Sequence, residues 1–252
     1  MPYKHGRPVI DGSFFFHAAS CITFYFLTFP IAMLFNFMQY STSYKHRWRL
    51  WSVRRAITVS NHTTFLDPVK MTGLVIPRLI YQTLLEGTVE FPFLGTLVRL
   101  LGGVPIPRGK TSYRKILESC PTAFKYRRYL HFYPEGECFI YNQKIRDFKP
   151  GAFRLAAELD LPVIPLVTVF SNGLFRPWSF WGRSIPRETL VVLEPFYPSR
   201  YVKRDGKGDF TSESVKEFAE AVRTKMQDEI DRRRGSPAFF RGQMKRMKGI
   251  ND

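Results

Sequence analysis

Cysteine is scarce in this chain, and its placement gives no basis for a disulfide framework. The three cysteines, Cys21, Cys120 and Cys138, are odd in number, lie far apart and form no CxxC pair. No cysteine or histidine has a neighbour at the spacing of a metal-binding motif. We therefore expect three reduced thiols that act as small apolar residues, a reducing compartment and no metal cofactor.

Acidic residues are also few for a chain of this size. The 252 residues include 38 Lys and Arg but 21 Asp and Glu, which gives a formal net charge of +17. Such a surface attracts anions: nucleic acid, anionic lipid headgroups, phosphorylated substrates or an acidic carrier protein. No helix-turn-helix, RNP-like or zinc-finger pattern supports base recognition, so we expect no nucleic-acid partner. Composition alone leaves the other anions open.

Charge of either sign is absent from Gly12 to Tyr44, where the sequence is rich in phenylalanine. As one helix these residues would extend on the order of 50 Å, longer than the roughly 30 Å hydrocarbon core of a bilayer. Pro30 would break such a helix near its middle, and both flanks are basic. We therefore expect residues 1–50 to form a membrane-embedded anchor, a broken helix or two-helix motif, at the cytoplasmic face of the inner membrane. A single tilted span is the alternative.

After this segment, short β-rich runs alternate with helical patterns. Because strands and helices alternate, the expected fold class is α/β, with a mostly parallel or mixed central sheet flanked by helices. Residues 51–252 would form one domain that ends in a basic helix and tail. Pro121 lies inside one expected helix and leaves its continuity open. Strands are predicted near 56–60, 79–84, 104–107, 129–133, 163–170 and 189–194, and helices near 68–76, 91–101, 111–127, 150–159 and 212–233.

The stretch Asn61–Asp67, NHTTFLD, puts a histidine and a carboxylate where the first of these strands ends. Asp67 followed by Pro68 is typical of a helix start, with Asp as N-cap and Pro at the first helical position. On one helix His62 and Asp67 would be about 140° apart, but in a turn that enters a helix they can face each other. A carboxylate bonded to one ring nitrogen raises the basicity of the other. On this spacing alone, a structural histidine is the simpler interpretation.

Three later stretches bring glycine, charge and proline to the ends of predicted strands. Gly102–Lys110, GGVPIPRGK, places Arg108 and Lys110 beside a glycine, a pattern suited to holding a phosphate. Tyr133–Glu137, YPEGE, brings acidic groups and a glycine to the same edge of the sheet. Leu161–Val167, LPVIPLV, is an apolar run with two prolines, for which a core strand with a rigid start is a sufficient interpretation.

The order of these four stretches resembles the glycerophospholipid acyltransferases. NHTTFLD, GGVPIPR, FYPEGE and LPVIPL are similar to the four motifs of that family, over roughly residues 55–170. Four motifs in order are more specific than a histidine and an aspartate alone. The family includes the 1-acyl-sn-glycerol-3-phosphate acyltransferases, whose bacterial members have a similar apolar N-terminal segment. Residues 51–252 would then be an acyltransferase domain.

The resemblance implies a reaction and a set of residue roles. His62 would be the general base, Asp67 would orient it, and Arg108 would pair with the acceptor phosphate. Glu135 and Gly136 would shape the acceptor site. A fatty acyl group would pass from acyl-CoA or acyl carrier protein to the sn-2 hydroxyl of lysophosphatidic acid, forming phosphatidic acid at the membrane with no cofactor besides the acyl donor. The acyl chain would be bordered by Val163, Ile164, Pro165 and Leu166.

The third motif departs from the family pattern. The family usually continues from Glu-Gly into Thr-Arg-Ser, whereas ECF follows here, so the usual arginine is absent. Lys144, Arg146 and Lys149 are candidates to supply that charge, and Lys149 is favoured because it precedes a predicted helix N-terminus. With this motif altered, glycerol 3-phosphate or another lysophospholipid is an alternative acceptor. A non-catalytic, basic membrane scaffold is the alternative from a different class.

Overall fold

The described part of the chain folds around one β-sheet. In the computed structural model it comprises residues 8–30, 33–34, 42–90, 93–109, 111–172 and 186–245. Seven strands lie in these ranges and hydrogen-bond into a single sheet. They are β1 (Ser43–Lys45), β2 (Ala56–Ser60), β3 (Ile80–Leu85), β4 (Gly103–Ile106), β5 (Tyr129–Phe132), β6 (Val163–Ser171) and β7 (Arg187–Val192).

The strand order across the sheet is β1-β7-β6-β2-β5-β3-β4. β2 lies at the centre and is parallel to both β5 and β6, while β3 and β4 extend the parallel part. Of the described pairs, β6 and β7 alone are antiparallel. Strands covered on both faces are buried along their length, as all five residues of β2 are. The predicted α/β fold with a mostly parallel, mixed sheet is confirmed.

Helices connect the strands along the chain. A π-helical turn (Thr23–Thr28) follows the first of them, and short 3-10 turns lie at Pro198–Arg200 and Pro237–Phe239. The α-helices with described bounds are α1 (Phe14–Ile22), α2 (Trp48–Trp51), α3 (Asp67–Val75), α4 (Glu86–Glu90), α5 (Leu94–Leu100), α6 (Ser112–Tyr126), α7 (Gly151–Glu158) and α8 (Ser212–Arg232).

Apolar residues cover the sheet on both faces, because successive residues of a strand point to opposite sides. Ile57 and Val59 of β2 lie in a core with buried residues of α6, α7 and α8. Ala56 and Ile164 lie in a second core with Leu50 of α2 and buried residues of α3. Helices therefore pack on both faces of the sheet, which leaves the ends of its strands as places where functional groups can reach solvent.

The predicted strands and helices lie within three residues of observed ones. α6 passes through Pro121 without interruption. Pro121 is exposed, so water can bond the carbonyl group that loses its helical donor. The elements that were not predicted, β1, α2 and α4, have three to five residues, too few to show a periodic pattern.

β1 and α2 place the start of the folded domain before residue 51. β1 pairs with β7 through Ser43, Tyr44 and Lys45. Leu50 is fully buried and packs with Ala56 in the second core. The predicted boundary after residue 50 is therefore too late, because it divides residues that share one sheet and one core.

The N-terminal segment is helical over α1 and the π-helical turn that follows it. Among the described residues, no helix combines the length and the apolar character needed to cross a membrane. Residues 1–7, 31–32 and 35–41 of the predicted anchor lie outside the described ranges, and membrane embedding of residues 1–50 stays a prediction. The outer side of the helical segment exposes Phe14, Phe15, Ile22 and Phe26.

A buried arginine ties this segment to the sheet. Arg127 is 4% exposed, and its guanidinium lies over the Tyr81 ring at 4.5 Å. Nη1 donates to the Ile80 carbonyl at 2.6 Å, and Nη2 donates to the Ser20 hydroxyl of α1 at 2.6 Å. Gly102 has φ of +100°, and a Cβ there would overlap this guanidinium. One cation therefore joins α1, β3 and the turn before β4.

We predict that Arg127→Met lowers the free energy of unfolding by about 2–4 kcal/mol, because buried carbonyl and hydroxyl groups lose their donors. Urea denaturation followed by circular dichroism would measure the change. The neighbouring Arg128→Met removes an exposed guanidinium and should change stability by less than about 0.5 kcal/mol. Equal losses in the two variants would contradict this role of Arg127.

Candidate active site

The Asn61–Asp67 turn lies where parallel strands end at one edge of the sheet. β2 ends at Ser60, and its neighbour β5 ends at Phe132, so the turns that follow them meet. The Asn61 side chain fastens the first turn to β6, because Nδ2 donates to the Thr168 carbonyl at 3.0 Å and Oδ1 accepts from the Thr168 amide at 2.9 Å. These two bonds between the Asn61 side chain and the Thr168 backbone therefore hold the turn at the edge where the sequence places its histidine and carboxylate.

His62 and Asp67 form a direct pair. His62 Nδ1 lies 2.9 Å from Asp67 Oδ2, the His62 side chain is 20% exposed and the Asp67 side chain is fully buried. Asp67 is the first residue of α3, with Pro68 next, and Leu66 occupies the N-cap position. The expected N-cap role of Asp67 is therefore wrong by one residue, because its carboxylate turns back toward the preceding turn instead of capping the helix.

Hydrogen bonds from the turn hold the Asp67 carboxylate. Oδ2 accepts from the amides of Thr63 at 2.6 Å and Thr64 at 2.9 Å, and Oδ1 accepts from the Thr64 hydroxyl at 2.6 Å. Burial alone would raise the pKa of Asp67, but the bond from His62 and the charge of Lys70 outweigh it and lower that pKa to about 2. Asp67 is therefore a carboxylate at any physiological pH.

The His62 ring is fixed from a second side. It stacks on the Tyr133 ring, with centroids 4.1 Å apart and planes at 25°. The Tyr133 hydroxyl donates to Gln82 Oε1 at 3.2 Å, and burial raises the pKa of Tyr133 well above its usual value, so this phenol is neutral. With Nδ1 bonded to Asp67, Nε2 is the ring nitrogen that can accept a proton from a substrate.

Glu135 lies behind the histidine. Its Oε1 accepts from the His62 amide at 3.0 Å and its Oε2 accepts from the Arg146 amide at 3.1 Å. Burial raises the pKa of Glu135, and these two amide bonds oppose that effect. The carboxylate therefore joins two backbone segments, which gives Glu135 a positioning role beside the predicted one of shaping the acceptor site.

Gly136 and Lys149 lie against each other. Gly136 has φ of +74°, and a Cβ there would overlap the Lys149 side chain. The Lys149 amide donates to the Pro134 carbonyl at 2.9 Å, which holds the lysine beside the FYPEGE turn. Lys144, Arg146 and Lys149 are the three candidates for the charge of the missing arginine. Of these, Lys149 alone is among the described residues that line the space beside His62.

A cavity of about 860 Å³ opens beside the pair, and His62, Tyr133, Gly136 and Lys149 line it. Among the described residues of its wall, Lys149 is the one lysine or arginine. Most of the wall is apolar, as expected for a site that holds an aliphatic chain. These apolar residues include Leu66, Val69, Leu84, Leu85, Leu97, Val98, Leu101, Ile116, Phe132 and Leu155.

Two predicted groups lie away from this wall. Ile106 and Gly109, on either side of Arg108, line the cavity, but Arg108 does not. The Arg108 side chain is exposed, and its amide donates to Glu86 at 3.0 Å. The four residues predicted to border the acyl chain are fully buried in β6, which is flanked by β2 and β7. The structure places them in the core and not on the cavity wall: Val163, Ile164, Pro165 and Leu166.

Other buried polar groups near the pair were not identified from the sequence. Lys70 and Glu188 are buried beside Asp67 and make an ion pair. His131 of β5 bonds the hydroxyls of Thr58 at 2.9 Å and Ser60 at 3.1 Å. Burial, followed by the charge of His62, lowers the pKa of His131 to about 3. The alternation of Thr58 and Ser60 in β2 would have indicated this contact had the pairing with β5 been known.

We predict that His131 makes stability depend on pH. Its folded pKa of about 3 lies below its ordinary value of 6.5, so the unfolded chain binds more protons between these limits. Stability from this group is present above pH 6.5 and falls as pH decreases, by up to about 1.4 kcal/mol per pH unit. Urea unfolding from pH 7 to pH 5 should therefore lose less stability in His131→Gln than in the wild type, whereas the exposed His46→Gln should behave as the wild type. Equal pH slopes for all three proteins would refute the assignment.

Comparisons with known proteins indicate the family of this chain. The sequence model of the family described as Acyltransferase matches residues 43–169. A 1-acyl-sn-glycerol-3-phosphate acyltransferase of Saccharomyces cerevisiae is 29% identical over 190 residues, 73% of this chain and 58% of that protein. A Helicobacter pylori protein of the same name is 27% identical over 143 residues, 56% of this chain and 60% of that protein. An N-acylphosphatidylethanolamine synthase of Arabidopsis thaliana is 29% identical over 155 residues, 58% and 52% of the two chains.

The fold is also that of a solved structure. The crystal structure of the 1-acyl-sn-glycerophosphate acyltransferase from Thermotoga maritima superposes with a TM-score of 0.55 at 18% identity, and covers 87% of this chain and 90% of that one. This chain spans less than two thirds of the length of the curated relatives that it matches. On the family match over residues 43–169, which include the His62–Asp67 pair, the chain belongs to the acyltransferase family.

Proposed function

We propose that this protein transfers a fatty acyl group from an acyl thioester to the sn-2 hydroxyl of lysophosphatidic acid, forming phosphatidic acid for phospholipid synthesis. The observation that carries the proposal is the His62–Asp67 pair on the wall of a large, mostly apolar cavity. Relatives named 1-acyl-sn-glycerol-3-phosphate acyltransferase support the choice of substrate.

The pair supplies the proton transfer that this reaction needs. With Nδ1–H donated to Asp67, Nε2 of His62 takes the proton of the acceptor hydroxyl as the oxygen attacks the thioester carbonyl carbon. Asp67 stabilises the imidazolium that forms. The tetrahedral intermediate then expels the thiolate, which takes the proton back from His62, so an ester forms and a thioester breaks without an acyl-enzyme. Because a thioester is already activated, proton transfer and alignment of the two substrates suffice.

The cavity favours an acceptor that already carries a chain. Its volume is about 860 Å³ and its wall is mostly apolar, which suits an aliphatic chain better than it suits glycerol 3-phosphate. Glycerol 3-phosphate is therefore the weaker alternative. Another lysophospholipid stays an alternative, because the relatives also include a protein named N-acylphosphatidylethanolamine synthase and the arginine of the third motif is absent.

Lys149 is our proposed substitute for that arginine. It lies over Gly136 in the turn that follows β5, and it is the one lysine or arginine among the described residues of the cavity wall. An ammonium group at this point would bind the acceptor phosphate as a point charge. Arg108, whose exposed side chain lies off the wall, would meet the more distant, anionic part of the acyl donor or the lipid surface.

We also propose that the cavity is filled from an anionic membrane. The net charge of +17 favours such a surface, since each basic residue near it can contribute about 1 kcal/mol. Several aromatic side chains are exposed: Phe14, Phe15 and Phe26 on the N-terminal helical segment, Phe65 on the cavity wall, and Phe93 just before α5. The cytoplasmic face of the inner membrane is the proposed location.

The first test is turnover of lysophosphatidic acid by detergent-solubilised protein, with an acyl-CoA and with an acyl carrier protein as donors. His62→Ala should lower the rate by about 10²–10⁴-fold, because the general base is lost, with an unchanged circular dichroism spectrum. His46→Ala changes an exposed histidine and should keep wild-type activity. A wild type that is inactive with both donors and with other lysophospholipids would refute the proposed function.

The acceptor phosphate is tested through Lys149. Lys149→Ala should raise KM for lysophosphatidic acid by about tenfold or more, since a hydrogen bond to a charged group is lost, and should leave KM for monoacylglycerol unchanged. Lys144→Ala removes an exposed lysine of the same loop and should leave both values unchanged. An unaltered KM for lysophosphatidic acid in Lys149→Ala would exclude this residue as the phosphate partner.

A further inference from the structure

A fully buried lysine lies one helical turn beyond Asp67. Lys70 is 1% exposed, and its Nζ donates to the Thr64 hydroxyl oxygen at 2.9 Å. Nζ lies 3.7 Å from Asp67 Oδ1 and 5.8 Å from the centre of the Phe170 ring. A buried ammonium costs several kcal/mol of desolvation unless its partners compensate, so its presence beside the catalytic pair requires an explanation.

The principal partner of Lys70 comes from a distant part of the chain. Glu188 on β7 is fully buried, and its Oε1 accepts from Lys70 Nζ at 2.5 Å. Its Oε2 accepts from the Thr42 hydroxyl at 2.7 Å. Burial raises the pKa of Glu188, and the charge of Lys70 is the main opposing effect. β7 pairs with β6 through Phe170 and Glu188, which fixes the carboxylate at the edge where α3 begins.

The hydrogen bonds form a directed chain that ends at His62. Lys70 donates to Thr64 Oγ1, Thr64 donates to Asp67 Oδ1, and Asp67 Oδ2 bonds His62 Nδ1. The 3.7 Å between Lys70 Nζ and Asp67 Oδ1 exceeds hydrogen-bond length. Lys70 is therefore close enough to stabilise the Asp67 carboxylate, but its ammonium lies too far from Oδ1 to donate a hydrogen bond to it.

We propose that Lys70 and Glu188 are positioning residues for the catalytic pair: Lys70 holds the Asp67 carboxylate through Thr64, and Glu188 keeps Lys70 from replacing His62 as its partner. The proposal rests on the proposed function in that His62 acts as the base. Asp67 has two possible cationic partners, Lys70 and the imidazolium that forms during the reaction. Glu188 gives Lys70 a stronger acceptor, so the charge of Asp67 is directed to His62.

Other titratable groups around His62 remain in place when this pair is changed. His131 and Tyr133 are neutral, because burial lowers the pKa of the first to about 3 and raises that of the second well above its usual value. Glu135 bonds the His62 and Arg146 amides. Single changes at positions 70 and 188 therefore leave these groups in place, as they do Glu137, Cys138 and Lys149, which line the cavity beside His62.

The opposite effects of two variants follow from this arrangement. In Glu188→Gln, Lys70 loses its anionic partner and moves onto Asp67, so the imidazolium form of His62 is less stable and its titration midpoint falls. In Lys70→Met, Asp67 keeps its full charge for His62, and the midpoint rises. Each shift should be about half a pH unit or more, as expected for a charge at this separation. In the double variant, the effect of Glu188→Gln should be smaller than in the wild type, because Glu188 acts mainly through Lys70.

The midpoint is measured by NMR on the full chain with isotope-labelled histidine, with the His62 signal identified by its loss in His62→Ala. The pH dependence of kcat/KM for lysophosphatidic acid should shift in the same directions. Glu229→Gln is the matched control, because Glu229 is a buried carboxylate of α8 that is paired with Arg232 and Arg233. That variant should leave the His62 midpoint unchanged.

An ion pair that serves stability alone would lower the melting temperature without moving the midpoint, and this result would overturn the proposal. A shift from Glu188→Gln in the Lys70→Met background as large as the one in the wild type would also overturn it. If Lys70→Met fails to fold, the downward shift in Glu188→Gln but not in Glu229→Gln decides the question. The NMR measurement needs no turnover, so an inactive wild type would refute the proposed function alone.

Discussion

The carboxylate of Asp67 is the group on which the site depends. It is fully buried, and it is stable there because it accepts bonds from two backbone amides, two hydroxyls and one imidazole. Each of these bonds also fixes something else: the amides of Thr63 and Thr64 shape the turn, and the imidazole is oriented toward the cavity. A buried anion with this many donors cannot move without leaving several polar groups unpaired. The orientation of the His62 ring is therefore set by this carboxylate together with the stacked Tyr133 ring.

The sheet explains why distant residues meet at that carboxylate. Parallel strands bring the turns after β2 and β5 to one edge, which puts His62 beside Tyr133 and Glu135. The reversal between β6 and β7 brings the start of β7, with Glu188, to the same edge. A sheet of purely parallel strands would place the end of β7 there instead. The antiparallel pair of β6 and β7 thus brings the Glu188 carboxylate to the site, where it pairs with Lys70 and not with His62.

Local patterns in the sequence predicted much of this arrangement, and long-range register accounts for what they did not predict. The His62–Asp67 contact follows from a turn that enters a helix, which is a property of seven consecutive residues. Lys70 was not identified because a lysine on a helix is usually solvated, and its burial depends on Glu188, which lies 118 positions away. Val163–Leu166 was assigned to the acyl chain through the family resemblance, yet the central place of β6 buries that stretch. Strand order determines the burial of both Lys70 and Val163–Leu166, and it cannot be read from a single sequence.

The N-terminal segment and the domain share the cavity, which changes what the segment can do. Phe24, Phe29 and Met33 line the same space as His62, and Arg127 fastens α1 to the base of β3. A segment that served only as a tether would need neither contact. Because its aromatic residues contribute to the wall where an aliphatic chain would lie, its position relative to the sheet affects the shape of the site. The N-terminal segment therefore forms part of the cavity beside His62, and a contact between this segment and a membrane would act on the same wall.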